Sequence, residues 1–127
     1  MKKLLIWGTG IKAKRLCHYI NYDEAEIIGF TDNSGKENMI LWGGYNYLPR
    51  EEALKGEYDY IVIASSYYCE ITTSLIAEGI SRKKIIQADN VQFMTPNTLY
   101  FFNEIEEDTE KYKIFTDVNL FSCENFC

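Results

Sequence analysis

Lys3-Leu4-Leu5-Ile6-Trp7-Gly8-Thr9-Gly10-Ile11-Lys12-Ala13 decides the fold. A short apolar run ends in two glycines spaced one apart, and a helix-like pattern follows at once, so the stretch reads as strand, tight turn and helix. The first turn of a helix leaves backbone N–H groups without partners and carries partial positive charge, while glycine lets a diphosphate come close to the backbone. These are the requirements of a nucleotide site, and they make Gly8, Thr9, Gly10, Ile11 and Lys12 candidate ligand-binding residues.

Downstream of the turn, residues 11–21 place Ala13, Leu16, Cys17 and Ile20 on one face at helical spacing, a face suited to packing on a sheet. Lys12, Lys14 and Arg15 fall in the first turn, where cations oppose the helix dipole; a nearby bound anion explains them, and so does simple solvation. Residues 25–31 then read as a second strand, followed by Asp32 and Asn33, two further candidate ligand-binding residues. Asp32 stands 22 residues after Gly10, near the spacing at which a dinucleotide fold offers a carboxylate to a ribose diol. Such a carboxylate would repel a 2′-phosphate. The same Asp-Asn-Ser-Gly is also an ordinary turn after a strand, and both readings stand.

Residues 39–45 suggest a small hairpin around Gly43 and Gly44, with Trp42 and Tyr45 covering either a bound ring or local packing. Residues 48–54 read as a short connective helix with Pro49 near its start. Tyr58 to Ala64 is a β-rich apolar strand, and Ser65 and Ser66 at its end are either ligand donors or helix caps. A helix from Tyr68 to Glu78 and a short strand from Ile85 to Gln87 complete the alternation. The expected architecture is α/β, a three-layer domain over residues 1–88 with a mostly parallel sheet of about four strands. Residues 89–127 form an acidic, aromatic C-terminal extension in which Leu99, Phe102 and Ile105 keep approximate helical spacing. So many aromatics are unusual in a disordered acidic tail, so the extension is expected to pack on the domain or on a second subunit.

Composition narrows the partners. The 127 residues suit one domain, and 46% apolar with 25% charged content is that of an ordinary globular chain. Residues 98–127 hold seven acids against two bases, which accounts for most of the net charge of −6. The body is close to neutral and lacks the basic face that nucleic acid binding requires. No apolar run approaches the roughly 20 residues of a membrane span. Gly8 to Arg15 interrupts the basic-then-apolar start too early for a secretory signal, so a cytoplasmic location is expected. Cys17, Cys69, Cys123 and Cys127 match no disulfide or zinc framework and are expected to be free thiols, with no metal site.

With Gly8-x-Gly10-x-x-Ala13, Gly29-Phe30-Thr31-Asp32-Asn33 and Tyr58 to Ser65 in hand, residues 2–88 resemble the small Rossmann-like domains of bacterial polysaccharide and sugar-nucleotide biosynthesis proteins. These include domains attached to nucleoside-diphosphate-sugar epimerase/dehydratase-like proteins and sugar-modifying methyltransferases, and the nucleotide-sugar-binding N-terminal domain of bacterial sugar acetyltransferases. The resemblance implies a Rossmann-like fold holding NAD or a nucleotide sugar such as a UDP-sugar at the glycine turn and the Asp after the second strand. It also implies a homo-oligomer or a partner enzyme. Ala13 replaces the third glycine often found there and still permits close helix–strand packing.

Catalytic groups are missing from the pattern. No tyrosine is followed four positions later by lysine, the single histidine His18 lies in the first helix, and neither a Gly-x-Ser-x-Gly elbow nor a Walker A lysine occurs. No catalytic residue is assigned. The expected function is a non-catalytic nucleotide- or nucleotide-sugar-binding module serving surface-polysaccharide assembly. The alternatives are an NAD-binding oxidoreductase-type subunit completed by another chain, and a structural domain that has lost its ligand.

Overall fold

The computed structural model describes residues 1–90, 99–101, 113–116 and 118–119. In chain order the strands are β1 (Lys2–Trp7), β2 (Ala25–Thr31), β3 (Met39–Ile40), β4 (Asn46–Tyr47), β5 (Tyr60–Ile63), β6 (Ile85–Asn90), β7 (Leu99–Phe101) and β8 (Val118–Asn119). The α-helices are α1 (Ile11–Leu16), α2 (Arg50–Lys55) and α3 (Tyr68–Ala77). The strands form one mixed sheet in the order β3-β4-β2-β1-β5-β6-β7-β8.

β1 lies at the centre because its apolar residues alternate between two cores. Leu4 and Ile6 join Phe30, Val62 and the α1 residues Ala13 and Leu16 on one face of the sheet. Leu5 and Trp7 join Ile61 and Ile63 on the other, under Ala53 of α2 and Ile71 and Leu75 of α3. A strand buried on both faces needs an unbroken apolar run, which is how it differs from an amphipathic edge strand. Helices therefore cover both sides of a parallel centre in which β1 pairs with β2 and β5, and β5 with β6.

The sheet is wider than four strands and not all parallel. At one edge β4 pairs parallel to β2 and antiparallel to β3, forming the hairpin expected around Gly43 and Gly44. Both glycines have positive φ, +65° and +76°, which other residues rarely adopt. At the other edge β6 continues to Asn90, beyond the expected end at Gln87, and β7 pairs antiparallel to it. Residues 99–101 are thus a strand and not the start of a helix. Their backbone groups pair with the edge of β6, a demand that side-chain periodicity does not register, and Phe102 and Ile105 lie outside the described residues.

The first helix is also shorter than its pattern suggested. α1 ends at Leu16, and a 3₁₀ turn over Cys17–Tyr19 follows. Ile20 then bridges to Phe115, and the Asn21 N–H donates to the Ile114 carbonyl at 2.8 Å. Ile114 and Phe115 are buried in the α1-side core. The backbone leaves the helix to make these long-range bonds, which amphipathic spacing cannot foresee.

Cys17 is a free thiol, whereas Cys69 is disulfide-bonded, contrary to the expectation of free cysteines throughout. Spacing along the chain carries no information about such a pairing. Cys123 and Cys127 lie outside the described residues. Among the described residues no helix is long and apolar enough to cross a membrane.

Candidate functional site

The carboxyl ends of β1, β2 and β5 meet on one side of the sheet, so the segments that follow them meet as well. The chain leaves β1 through α1 on one face and leaves β5 through α3 on the other, so the sheet opens between β1 and β5. Ligands of open α/β sheets bind at such points. Two adjoining concavities occupy this place and share Gly8, Asp32, Ser65 and Tyr67.

The lobe on the α1 side, about 350 Å³, is completed by Thr9, Gly10, Ile11, Lys12 and Ser66. The lobe on the α3 side, about 390 Å³, is completed by Trp7, Asn33, Ser34, Glu70 and Ile71. All nine residues chosen from the sequence therefore line one crevice. Volumes in this range suit one half of a nucleotide-sized ligand per lobe. Of the three basic residues near the turn only Lys12 lines a lobe; Lys14 and Arg15 are exposed elsewhere on α1.

The two glycines of the turn have different roles. Gly8 has φ +133°, and a Cβ there would stand 2.5 Å from the Ala64 carbonyl oxygen. Its N–H donates to Thr31 O at 2.8 Å, while Ala64 N–H donates to Trp7 O at 2.8 Å. Gly8 is thus clamped between the ends of β2 and β5. Gly10 has an ordinary extended backbone, φ −93°, and a Cβ there would meet nothing within 4 Å. It is exposed at the mouth of the crevice, leaving space where an anion could reach the backbone.

Asp32 is the best-connected residue of the site. Its Oδ1 accepts hydrogen bonds from the Ser34 N–H at 3.0 Å, the Ser34 hydroxyl and the Tyr47 hydroxyl at 2.7 Å. Its Oδ2 accepts from the Thr9 hydroxyl at 2.8 Å and lies 3.7 Å from Lys36 Nζ. Burial pushes the carboxyl up, but the bonds from Ser34, Tyr47 and Thr9 outweigh it and hold the group well below the usual carboxylate range. A carboxylate has about four acceptor sites. Oδ1 is therefore fully engaged, while Oδ2, bonded by the Thr9 hydroxyl, keeps one acceptor site toward the Lys36 ammonium.

Three participants escaped the sequence pattern. Tyr47 is fully buried on β4 and reaches Asp32 across the end of β2. Lys36 donates to Thr9 Oγ1 at 3.3 Å, tying the loop after β2 to the glycine turn. Arg50 begins the helix expected to be merely connective, yet its Nε donates to Asn33 Oδ1 at 3.1 Å and its Nη2 to Glu78 at 2.6 Å. Its guanidinium stands 5.6 Å from the centre of the Trp7 ring. Proline before it and acids after it marked a helix start, but nothing local marked its partners.

Ser65 Oγ accepts from the Tyr67 N–H at 3.2 Å, so it shapes the turn into α3, while Ser66 is exposed in the α1-side lobe. Trp42 and Tyr45 pack on Phe30, each with ring centres 5.3 Å away, and line neither lobe. For these two, local packing is the reading that holds. His18 is exposed and also lies outside both lobes.

The family model described as C2185-like, N-terminal matches residues 1–86. The chain belongs to this family. The part of this C2185-like N-terminal domain that matches contains the whole crevice and ends within β6, so β7 and β8 fall outside it. No curated protein matches the chain.

Proposed function

We propose that this C2185-like domain is a Rossmann-like module that binds a nucleotide or nucleotide sugar without transforming it. The observation that carries this reading is the meeting of Gly8-Thr9-Gly10, Asp32 and Ser65-Ser66 in one crevice beyond three adjacent parallel strands. The residues fit a phosphate-bearing ligand, because Gly10 leaves its backbone open to close approach and Lys12 lies on the same wall. The lack of a Tyr-x-x-x-Lys pair in the sequence, with the single histidine outside the crevice, favours holding over proton transfer.

In this reading the module works in the cytoplasm beside a partner enzyme of surface-polysaccharide or sugar-nucleotide biosynthesis, or as a homo-oligomer. An NAD-holding oxidoreductase-type subunit completed by another chain is the competing reading, favoured by the position of Asp32 after β2. Thermal shift with NAD, NADP, UDP and UDP-sugars separates the two. Selective stabilisation by UDP compounds supports the nucleotide-sugar module and selective stabilisation by NAD supports the competitor. No shift with any of them overturns both and leaves a structural domain.

A further inference from the structure

The two walls of the α3-side lobe come from opposite sides of β1. Asn33 and Ser34 belong to the loop after β2, while Tyr67, Glu70 and Ile71 belong to the turn after β5 and the start of α3. Strands β2 and β5 flank β1 in the sheet, and Trp7 at the end of β1 lines the lobe between the two walls. Whatever fixes the distance between these walls fixes the width of the lobe.

Arg50 makes that connection although it lines neither lobe itself. Its Nε donates to Asn33 Oδ1 at 3.1 Å on the first wall, and Asn33 is an exposed residue whose side chain this bond orients. Its Nη2 donates to Glu78 Oε2 at 2.6 Å, and Glu78 caps the C-terminal end of α3, the helix that begins in the second wall. The guanidinium stands 5.6 Å from the centre of the Trp7 ring, so the brace passes beside the residue that separates the walls. A guanidinium is a rigid planar fork with donors in fixed directions, whereas a lysine ammonium is a point charge on a flexible stem. Only the fork can hold Asn33 and Glu78 in one geometry at once.

We propose that Arg50 is a positioning residue that sets the width of the crevice by joining its two walls through one guanidinium, so that ligand affinity depends on the fork of Arg50 and not on its charge. This rests on the nucleotide reading above. Arg50 acts through Asn33 on one side and through Glu78 and α3 on the other, and it preorganises the walls before the ligand arrives.

Calorimetric titration of the full chain with UDP, ADP and NAD tests it, at a temperature where melting curves show every variant folded. Arg50→Lys, which keeps the charge, and Arg50→Met, which loses it, should both weaken binding about tenfold. Arg50→Met should lose most of that effect when Asn33→Ala is already present, because the two residues act as one unit. Glu78→Gln cuts the brace at a residue that lines neither lobe, and it should weaken binding in the same direction. A merely structural arginine would lower the melting temperature and leave the affinity of the folded protein unchanged. Wild-type affinity in Arg50→Lys or in Glu78→Gln, or strict additivity of Arg50→Met and Asn33→Ala, overturns the brace and leaves the nucleotide reading standing. Failure of all three compounds to bind the wild-type protein overturns both.

Discussion

The Thr9 hydroxyl donates to Asp32 Oδ2 across 2.8 Å and so joins the loop after β1 to the loop after β2. Asp32 is bound at the same time by Tyr47 from β4 and by Ser34 from its own loop. The residue expected to face a ribose thus organises the wall of the crevice. These bonds set what its substitution can report.

Stability should depend on the ionisation of Asp32. Its folded carboxyl lies below the unfolded value of about 4, so its contribution is fully present above that value and is lost as pH falls toward the folded pKa. Asp32→Asn is expected to cost about 1–2 kcal/mol at neutral pH, from weakened bonds to a charged acceptor. Urea unfolding of wild type and variant from pH 7 to pH 2.5 checks this. The gap should narrow steadily below about pH 4, and a gap independent of pH would count against the carboxylate as the source.

The two glycines of the turn should respond in opposite ways to the same change. Gly8→Ala places a methyl 2.5 Å from the Ala64 carbonyl in a left-handed backbone, with an expected cost of about 3 kcal/mol. Gly10→Ala meets nothing within 4 Å at φ −93°, so its stability should stay within about 0.5 kcal/mol of wild type. The same methyl fills space needed by an approaching phosphate, and nucleotide affinity should fall at least about tenfold. Paired melting and titration of the two variants tests this; a Gly10→Ala protein that binds as tightly as wild type would remove the turn from the site.

A buried polar pair fixes the start of α3, from which Glu70 and its neighbours line the crevice. Gln87 Nε2 donates to Thr72 Oγ1 at 2.6 Å, and both residues are at most 2% exposed. Thr72→Val removes the acceptor and should cost about 1–2 kcal/mol. The double variant Thr72→Val/Gln87→Leu removes both polar partners and should lose less than the sum of the two single changes. Chemical denaturation of the four proteins in the cycle measures the coupling, and strict additivity would show that the bond contributes nothing.

The elements with strong local signals were legible in the sequence. β1, β2 and α3 fall within a residue or so of their expected limits because apolar period and bounding glycines or polar turns agree there. The crevice was legible for a related reason, since parallel strands bring Gly8, Asp32 and Ser65 to one end whatever the helices do. Contacts distant in sequence were not legible. Tyr47 on Asp32 and Arg50 on Glu78 depend on how β4 and α2 dock, and the strand at Leu99–Phe101 depends on the free edge of β6. Single-residue pattern carries none of this.

Residues 114 and 115 illustrate the same point and give the final prediction. Ile114 is 1% and Phe115 5% exposed, within the core that contains Leu16 and Ile20, although they lie beyond the family-matched stretch. Their backbone also bonds to the chain after α1: Thr116 N–H donates to Tyr19 O at 2.7 Å, and Ile114 O accepts from Asn21. A chain cut after residue 95 would therefore expose the α1-side core and leave those groups to water. Phe115→Ala should cost about 3–5 kcal/mol and Ile114→Ala about 2–5 kcal/mol, the ordinary penalties of large-to-small changes in a packed core. The truncated protein should lose at least as much and bind a hydrophobic dye, because a domain of this size has only about 5–15 kcal/mol to lose. Urea unfolding of both point variants and of the truncation decides the matter. A truncated protein as stable as the full chain would show that the first 95 residues fold without these contacts, and the two buried side chains would then be passengers on the core rather than part of it.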